Sequence, residues 1–259
     1  MINEPIIIVA GEPNSIFLEI FFKSIEAHRY KSPLIIISSK RLLEKQMKKL
    51  GFFFKLNVIN KNFNEFNKLD NKKINLINVE YKFNKCFEKI STKSNNYIKK
   101  SFEIALKIIL QNKFSKFING PISKKHFLKG KTPGITEYLA KKLKKTSEVS
   151  MLIFNKSLSV SPLTTHLALK DVHKKISKQK IYNHVELINN FYLDKFNKLP
   201  HIAITGLNPH CESNFQNSEE DRIIIPAIRK LRLKNIKVNG PFPADTIFTK
   251  SLLKKYDVI

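Results

Sequence analysis

The chain has 259 residues, 42% of them hydrophobic, with two cysteines, no tryptophan and a formal net charge of +26. That length buries a sizeable core in one large domain or two lobes, while two cysteines exclude a disulfide framework or a Cys-only zinc site and no apolar run reaches the ~20 residues of a membrane span. The lysines are spread along the chain among many Asn, Ile and Phe, all with A/T-rich codons, so the charge reads as biased composition rather than a specific nucleic-acid surface.

In chain order, residues 5–9 (PIIIV) form a short apolar run ended by Gly11-Glu12-Pro13, with a helical stretch following to about His28. The run has no basic region before it and no small-residue cleavage site, which together with the cysteine usage makes the cytoplasm the expected compartment. Leu34 to Ile37 predicts the next strand. Ser38 and Ser39 can cap a helix with Leu42, Leu43, Met47 and Leu50 on its apolar face and Gly51 as its stop. Residues 60–96 are Asn/Lys-rich and weakly patterned, and read as a loop-rich excursion.

Ile98, Phe102, Ala105, Leu106 and Ile109 fall at helical spacing. A strand at Lys116 to Asn119 then ends at Gly120-Pro121. Met151 to Phe154 and the run from Leu158 onward predict a hairpin around a polar turn. His201 to Thr205 and Lys237 to Asn239 predict two more strands, each ending at a glycine. Alternation of this kind predicts an α/β fold with a mixed sheet.

Ligands of open α/β sheets bind beyond the C-terminal ends of strands. Five such ends carry polar punctuation: 10-AGEPNS-15, 119-NGPISKKH-126, 162-PLTTHLALKDV-172, 206-GLNPH-210 and 239-NGPFPADT-246. His166 and His210 lie at two of them. Imidazole suits zinc and other divalent metals, although a lone histidine is more often a core or surface residue. Asp245 is either a proton acceptor or neighbour of a metal ligand, or the cap of a turn. Lys124 could pair with a phosphate. No Gly-x-Gly-x-x-Gly is present, so a nicotinamide cofactor would need a non-Rossmann site.

Taken together and in order, these segments resemble the 4-hydroxythreonine-4-phosphate dehydrogenases of vitamin B6 synthesis. The matching residues are Gly11-Glu12-Pro13 with Glu19-Ile20, Gly120-Pro121-Ile122-Ser123-Lys124, Pro133-Gly134-Ile135-Thr136-Glu137, and Thr164-Thr165-His166 with Asp171-Val172. Gly206-Leu207-Asn208-Pro209-His210 with Glu219-Glu220, and Gly240 through Thr246, complete the set.

The resemblance implies an isocitrate-dehydrogenase-like, two-lobed α/β/α fold, non-Rossmann, with lobes at 1–125 and 126–259. It implies His166 and His210 as ligands of a divalent metal (zinc, magnesium or cobalt), Asp245 and Lys124 as catalytic groups and Thr136 as a substrate contact. The implied enzyme is a homodimer using NAD or NADP. It oxidises 4-hydroxy-L-threonine phosphate with decarboxylation to 3-amino-2-oxopropyl phosphate, and engages neither membrane nor specific nucleic acid.

The chain departs from the family pattern in several places. Ile135 stands where the family has a substrate-binding histidine, residues 211–218 (CESNFQNS) replace a glycine-rich segment, and Asn14-Ser15-Ile16-Phe17 replaces glycines. The family's third metal histidine lies beyond a strand that here begins at Tyr256 and stops at Ile259. These departures lead to the expectation of a C-terminally shortened and weak or inactive dehydrogenase. The alternatives are a dehydrogenase of another phosphorylated hydroxy acid, an inactive remnant, or, last, a basic nucleic-acid-binding protein.

Overall fold

The computed structural model describes residues 3–60, 69–130, 132–145, 149–211, 217–249 and 254–259. The chain divides into two compact units, Met1–Ile135 and Thr136–Ile259.

In the first unit, β1 (Ile6–Val9), β2 (Leu34–Ser38), β3 (Leu56–Ile59), β4 (Ile74–Asn78) and β5 (Phe117–Asn119) form one sheet in the order β3-β4-β2-β1-β5. Every pairing is parallel. A parallel strand covered by helices on both faces needs apolar side chains on both, which is why β1 and β2 read as continuous isoleucine runs. Ile7, Ile35, Ile36, Ile37 and Leu76 are fully buried.

The helices α1 (Phe17–Ala27), α2 (Lys40–Lys49) and α3 (Asn95–Asn112) connect these strands. Ser39 caps α2, its hydroxyl accepting from the Leu42 N–H at 3.4 Å. The buried face of α2 includes Gln46, whose amide donates to the Pro13 carbonyl at 2.8 Å. That bond satisfies the NH2 group of a polar side chain on a face for which the sequence predicts Met47 as a contact, while the Gln46 amide oxygen stays buried without a partner. Ile98, Phe102, Ala105 and Leu106 are buried on α3 as the spacing predicts.

The expected loop at 60–96 needs correction: it contains β4, the neighbour of β2 in the sheet. Its sequence, INLIN, carries asparagines that disfavour strands in isolation. Asn75 is nonetheless buried, because its amide donates to the carbonyls of Leu34 (3.1 Å) and Asp70 (3.2 Å). Its oxygen accepts from Asn57 (2.8 Å) and from the Asp70 N–H (2.9 Å). Four hydrogen bonds, two from its NH2 group and two to its oxygen, remove the burial penalty that makes the segment read as loop. Residues 61–68 of that stretch lie outside the described residues.

In the second unit, β6 (Ile202–Thr205) and β7 (Val238–Phe242) pair in parallel. Val258 extends this sheet by bridging Ile202 and Ser159, both in parallel, and Ile153 pairs antiparallel with Val160. Among the described residues of this unit, the antiparallel component of the expected mixed sheet is the 151–160 hairpin. The remaining helices are α4 (Ile135–Leu143), α5 (Leu169–Val172), α6 (Lys178–Phe196) and α7 (Ile225–Leu233). Ile181, Val185 and Ile188 of α6 pack with Ile228 and Leu231 of α7 and with Ile202 and Val238 of the strands. Among the described residues, no helix is long and apolar enough to cross a membrane.

Candidate functional site

Three chain segments leave the second unit's sheet at one edge. The segment through Ser159, β6 and β7 are mutually parallel by way of Val258, so their C-terminal ends point the same way. His166 lies a few residues beyond the first, His210 beyond β6 and Asp245 beyond β7. All three are exposed. Gly206 donates its N–H to the Phe242 carbonyl at 2.9 Å, which ties the loop after β6 to the end of β7.

Both histidines have left-handed backbone, His166 at φ 56 and His210 at φ 61. A non-glycine residue in that region costs of order 1–2 kcal/mol and persists only where its surroundings enforce it. For His210 the enforcing group is visible. Glu220 is 1% exposed, and one of its carboxylate oxygens accepts from the N–H groups of Leu207 and Asn208, both at 2.8 Å. Its second oxygen accepts from the Asn208 side chain at 2.8 Å, and Glu219 accepts from the same amide at 3.0 Å. Burial raises the Glu220 pKa, but the Asn208 backbone and side-chain bonds and the Leu207 N–H outweigh it, and the net shift is downward.

The loop is also tight. A Cβ at Gly206 would lie 2.5 Å from Cys211 Sγ and 3.0 Å from Glu220 Oε1. Burial, followed by the nearby carboxylates of Glu220 and Asp245, pushes the Cys211 thiol up, against a lowering bond with Gly206. A protonated thiol is a poor metal ligand. The same interaction places Asp245 near the residue that follows His210. The turn that carries Asp245 is closed by the Ile247 N–H on the Pro243 carbonyl at 3.1 Å, without need of an aspartate cap.

Thr136 is exposed in the first turn of α4. Its neighbour Glu137 accepts from the Thr165 hydroxyl at 3.3 Å, which joins the start of α4 to the residue before His166. Ile135 is partly buried beside them.

Lys124 belongs to the first unit. It is exposed at the head of the 124–128 turn, where the Ser123 hydroxyl accepts from the His126 N–H at 3.2 Å. Gly120 donates to the Val9 carbonyl at 2.7 Å and Glu12 donates to that of Pro121 at 2.8 Å. The 10–13 and 120–124 segments therefore share the C-terminal edge of the first sheet. A Cβ on Gly120 would sit 2.1 Å from the Ala10 carbonyl oxygen, so only glycine permits this approach.

Two carboxylates with structural purpose were not singled out as site residues by the sequence reading. Glu220 clamps the loop before His210. Glu12, 3% exposed, accepts from the Ser94 hydroxyl at 2.8 Å. Both sit in motifs quoted above, but their partners are far along the chain, so no local pattern announces them.

The donor chemistry at the second unit's edge fits a divalent metal in kind, since two imidazoles suit zinc or cobalt. It does not supply a full set. Among the described residues, no group of three or more His, Cys, Asp or Glu side chains gathers to hold an ion.

Residues 29–259 match the family model described as pyridoxal phosphate biosynthetic protein PdxA. A 4-hydroxythreonine-4-phosphate dehydrogenase from Sulfurihydrogenibium sp. is 34% identical over 97% of this chain and 77% of its own length. A protein of Oceanobacillus iheyensis with the provisional name D-threonate 4-phosphate dehydrogenase is 29% identical over 100% of this chain and 80% of its own. The crystal structure of a 4-hydroxythreonine-4-phosphate dehydrogenase from Klebsiella pneumoniae shares the fold with a TM-score of 0.83, at 24% identity over 99% of this chain and 80% of that one. The chain thus belongs to the PdxA family of pyridoxal phosphate biosynthetic proteins, a family of dehydrogenase enzymes.

Proposed function

We propose that the protein oxidises 4-hydroxy-L-threonine phosphate with NAD or NADP and a divalent metal, releasing CO2 and 3-amino-2-oxopropyl phosphate. The single observation carrying this reading is the shared strand edge that His166, His210 and Asp245 leave together. His166 and His210 would hold the metal, which when bound acts as a Lewis acid toward the substrate hydroxyl. Asp245 takes the hydroxyl proton while hydride leaves for the nicotinamide. The β-keto acid so formed loses CO2, and the remaining carbanion is protonated to give the amino ketone. Thr136 binds substrate.

The enzyme acts in the cytoplasm as a homodimer. Association is supported by apolar side chains left on one face of the second unit, where Phe154 (47% exposed) stacks on Phe196 (46%) at 5.3 Å. The test is NAD(P)H formation from the substrate with zinc, magnesium or cobalt added to metal-stripped protein. Metal-dependent turnover that falls in His166→Ala and His210→Ala supports the proposal. Turnover indifferent to metal and to both substitutions would overturn it.

A second reading is favoured by the partly buried Ile135 beside Thr136 and by the Oceanobacillus relative. The chemistry is kept, but the substrate is a phosphorylated hydroxy acid without the amino group. An apolar side chain there offers no hydrogen bond to an amine. Comparison of kcat/KM on D-threonate 4-phosphate and on 4-hydroxythreonine phosphate separates the two readings.

A further inference from the structure

The first unit carries a pocket of about 610 Å³ at the edge of its sheet opposite to Gly11, Gly120 and Lys124. Leu34 and Ile74, the first residues of the parallel neighbours β2 and β4, lie in its lining, so it opens at the N-terminal ends of the strands. Its size lies within the ~300–1,000 Å³ usual for small-molecule sites. The apolar lining includes Phe21, Ile25 and Phe54.

Three features make this a built site rather than a gap between loops. Asn75, in the lining, uses all four of its bonds to lock the Asp70 turn against β2 and β3. Tyr30 is held by a 2.5 Å bond between its hydroxyl and that of Ser24 on α1, and by an edge contact with the His28 ring. Phe54, stacked on Phe22 at 6.2 Å and on Phe52 at 6.1 Å, is likewise fixed.

The charge is one-sided. Arg29, Lys72 and Lys73 line the pocket with His28, and no Asp or Glu is among its described lining residues. Asp70, behind the turn, partly neutralises Lys73 at 3.1 Å. Arg29 forms no ion pair among the described residues. An aromatic and aliphatic floor under an unneutralised guanidinium and two ammonium groups suits a ligand with a flat apolar body and a compact, multiply charged head.

The geometry points to a second ligand site here, for a small aromatic monophosphate, distinct from the dehydrogenase site. The phosphate sits between Arg29 and Lys72, and the ring rests on Phe54 and Tyr30. Equilibrium dialysis with phenyl phosphate tests it on the intact chain, with inorganic phosphate and benzyl alcohol as the head alone and the body alone. Because ring burial and a charge-assisted head each supply a share of the affinity, phenyl phosphate should bind about tenfold or more tightly than either part. The double variant R29E/K72E should weaken it by about tenfold or more, since attraction becomes repulsion. The control K195E/K237E makes the same change in net charge on the second unit and should have an effect of about twofold or less, as distant charges are screened.

Equal losses in both double variants would show only a general attraction of anions to a basic chain, and would overturn the site. So would phenyl phosphate binding no better than inorganic phosphate. If R29E/K72E fails to fold, R29Q/K72Q removes the charges without repulsion. An undiminished affinity in that variant overturns the proposal equally.

Discussion

A single oxygen of the buried Glu220 carboxylate holds the backbone N–H groups of both Leu207 and Asn208 at 2.8 Å. It thereby fixes the loop that presents His210. Glu220→Ala leaves these donors without an acceptor, at a cost of about 1–3 kcal/mol for each buried group left unpaired. Glu220→Gln keeps one acceptor oxygen and should cost less. Because the folded-state pKa of Glu220 lies below its ordinary 4.5, its contribution is complete above that value and is lost as pH falls through the lower folded pKa. Chemical denaturation of wild type and Glu220→Gln at neutral pH and at pH near 3 checks this: the gap between them should narrow in acid.

His184 makes a complementary prediction. Its ring nitrogens meet the hydroxyls of Ser150 at 3.0 Å and Ser161 at 2.6 Å, and Ser161 continues the strand that leads to His166. Burial, with Lys180 adding to it, lowers the pKa from 6.5 to about 4. The unfolded chain therefore binds a proton between these values that the folded protein refuses. Stability from this group is present above 6.5 and lost as pH falls toward 4. Denaturation midpoints of His184→Gln should fall less steeply over that window than those of wild type. Parallel profiles would show that His184 does not remain neutral in the fold.

The glycines that end β5 and β6, the α2 cap and the α3 face were legible because each is written in neighbouring residues, whereas β7 runs through Gly240 to Phe242 instead of ending there. So was the set of strand ends that carries His166, His210 and Asp245. β4 was not, since its legitimacy depends on bonds between Asn75 and Leu34, Asn57 and Asp70. The positive φ of His166 and His210 was equally hidden. Asparagine and glycine advertise that conformation, whereas a histidine adopts it only under tertiary compulsion. The clamp on His210 comes from a glutamate in the helical turn before α7, a distance no spacing rule spans.

Glycine substitutions should separate tight approach from turn preference. At Gly240 (φ +138) an added Cβ would meet the Ile204 carbonyl oxygen at 2.3 Å, whereas at Gly51 (φ +77) it would meet nothing. Gly51→Ala should cost only the left-handed penalty, about 1–2 kcal/mol. Gly240→Ala must also push β7 away from β6 and should cost more than about 3 kcal/mol, combining backbone strain with overpacking. Thermal melts order the two. Equal costs would mean that the β6–β7 contact yields easily.

Metal binding can be read without turnover. If His166 and His210 share one ion, each alanine substitution should lower zinc affinity by at least the ~10–100-fold known for the loss of supporting ligand partners. The double substitution should add little beyond the first loss, because one imidazole alone is a weak site. Competition with a chromogenic chelator gives the affinities. Independent, additive losses would place the two rings on separate ions.

The last prediction uses Cys211 as a reporter of Asp245. The carboxylates of Glu220 and Asp245 both help to raise the Cys211 thiol, after burial. Asp245→Asn removes one of these charges while keeping the side-chain shape, so the thiol pKa should fall and the thiolate fraction at a fixed mildly alkaline pH should rise. Alkylation by iodoacetamide, which consumes the thiolate, should therefore quicken in the variant, with its pH–rate curve displaced toward acid. Cys86, the other free thiol, must be replaced by serine first so that only Cys211 is read. The same substitution should lower kcat by about 10²–10⁴-fold, the range associated with losing a general base, with zinc affinity unchanged. A slower turnover with an unmoved thiol curve would mean that Asp245 acts at a distance from the His210 loop. An acid-shifted curve with full turnover would leave Asp245 beside the loop and remove it from the chemistry.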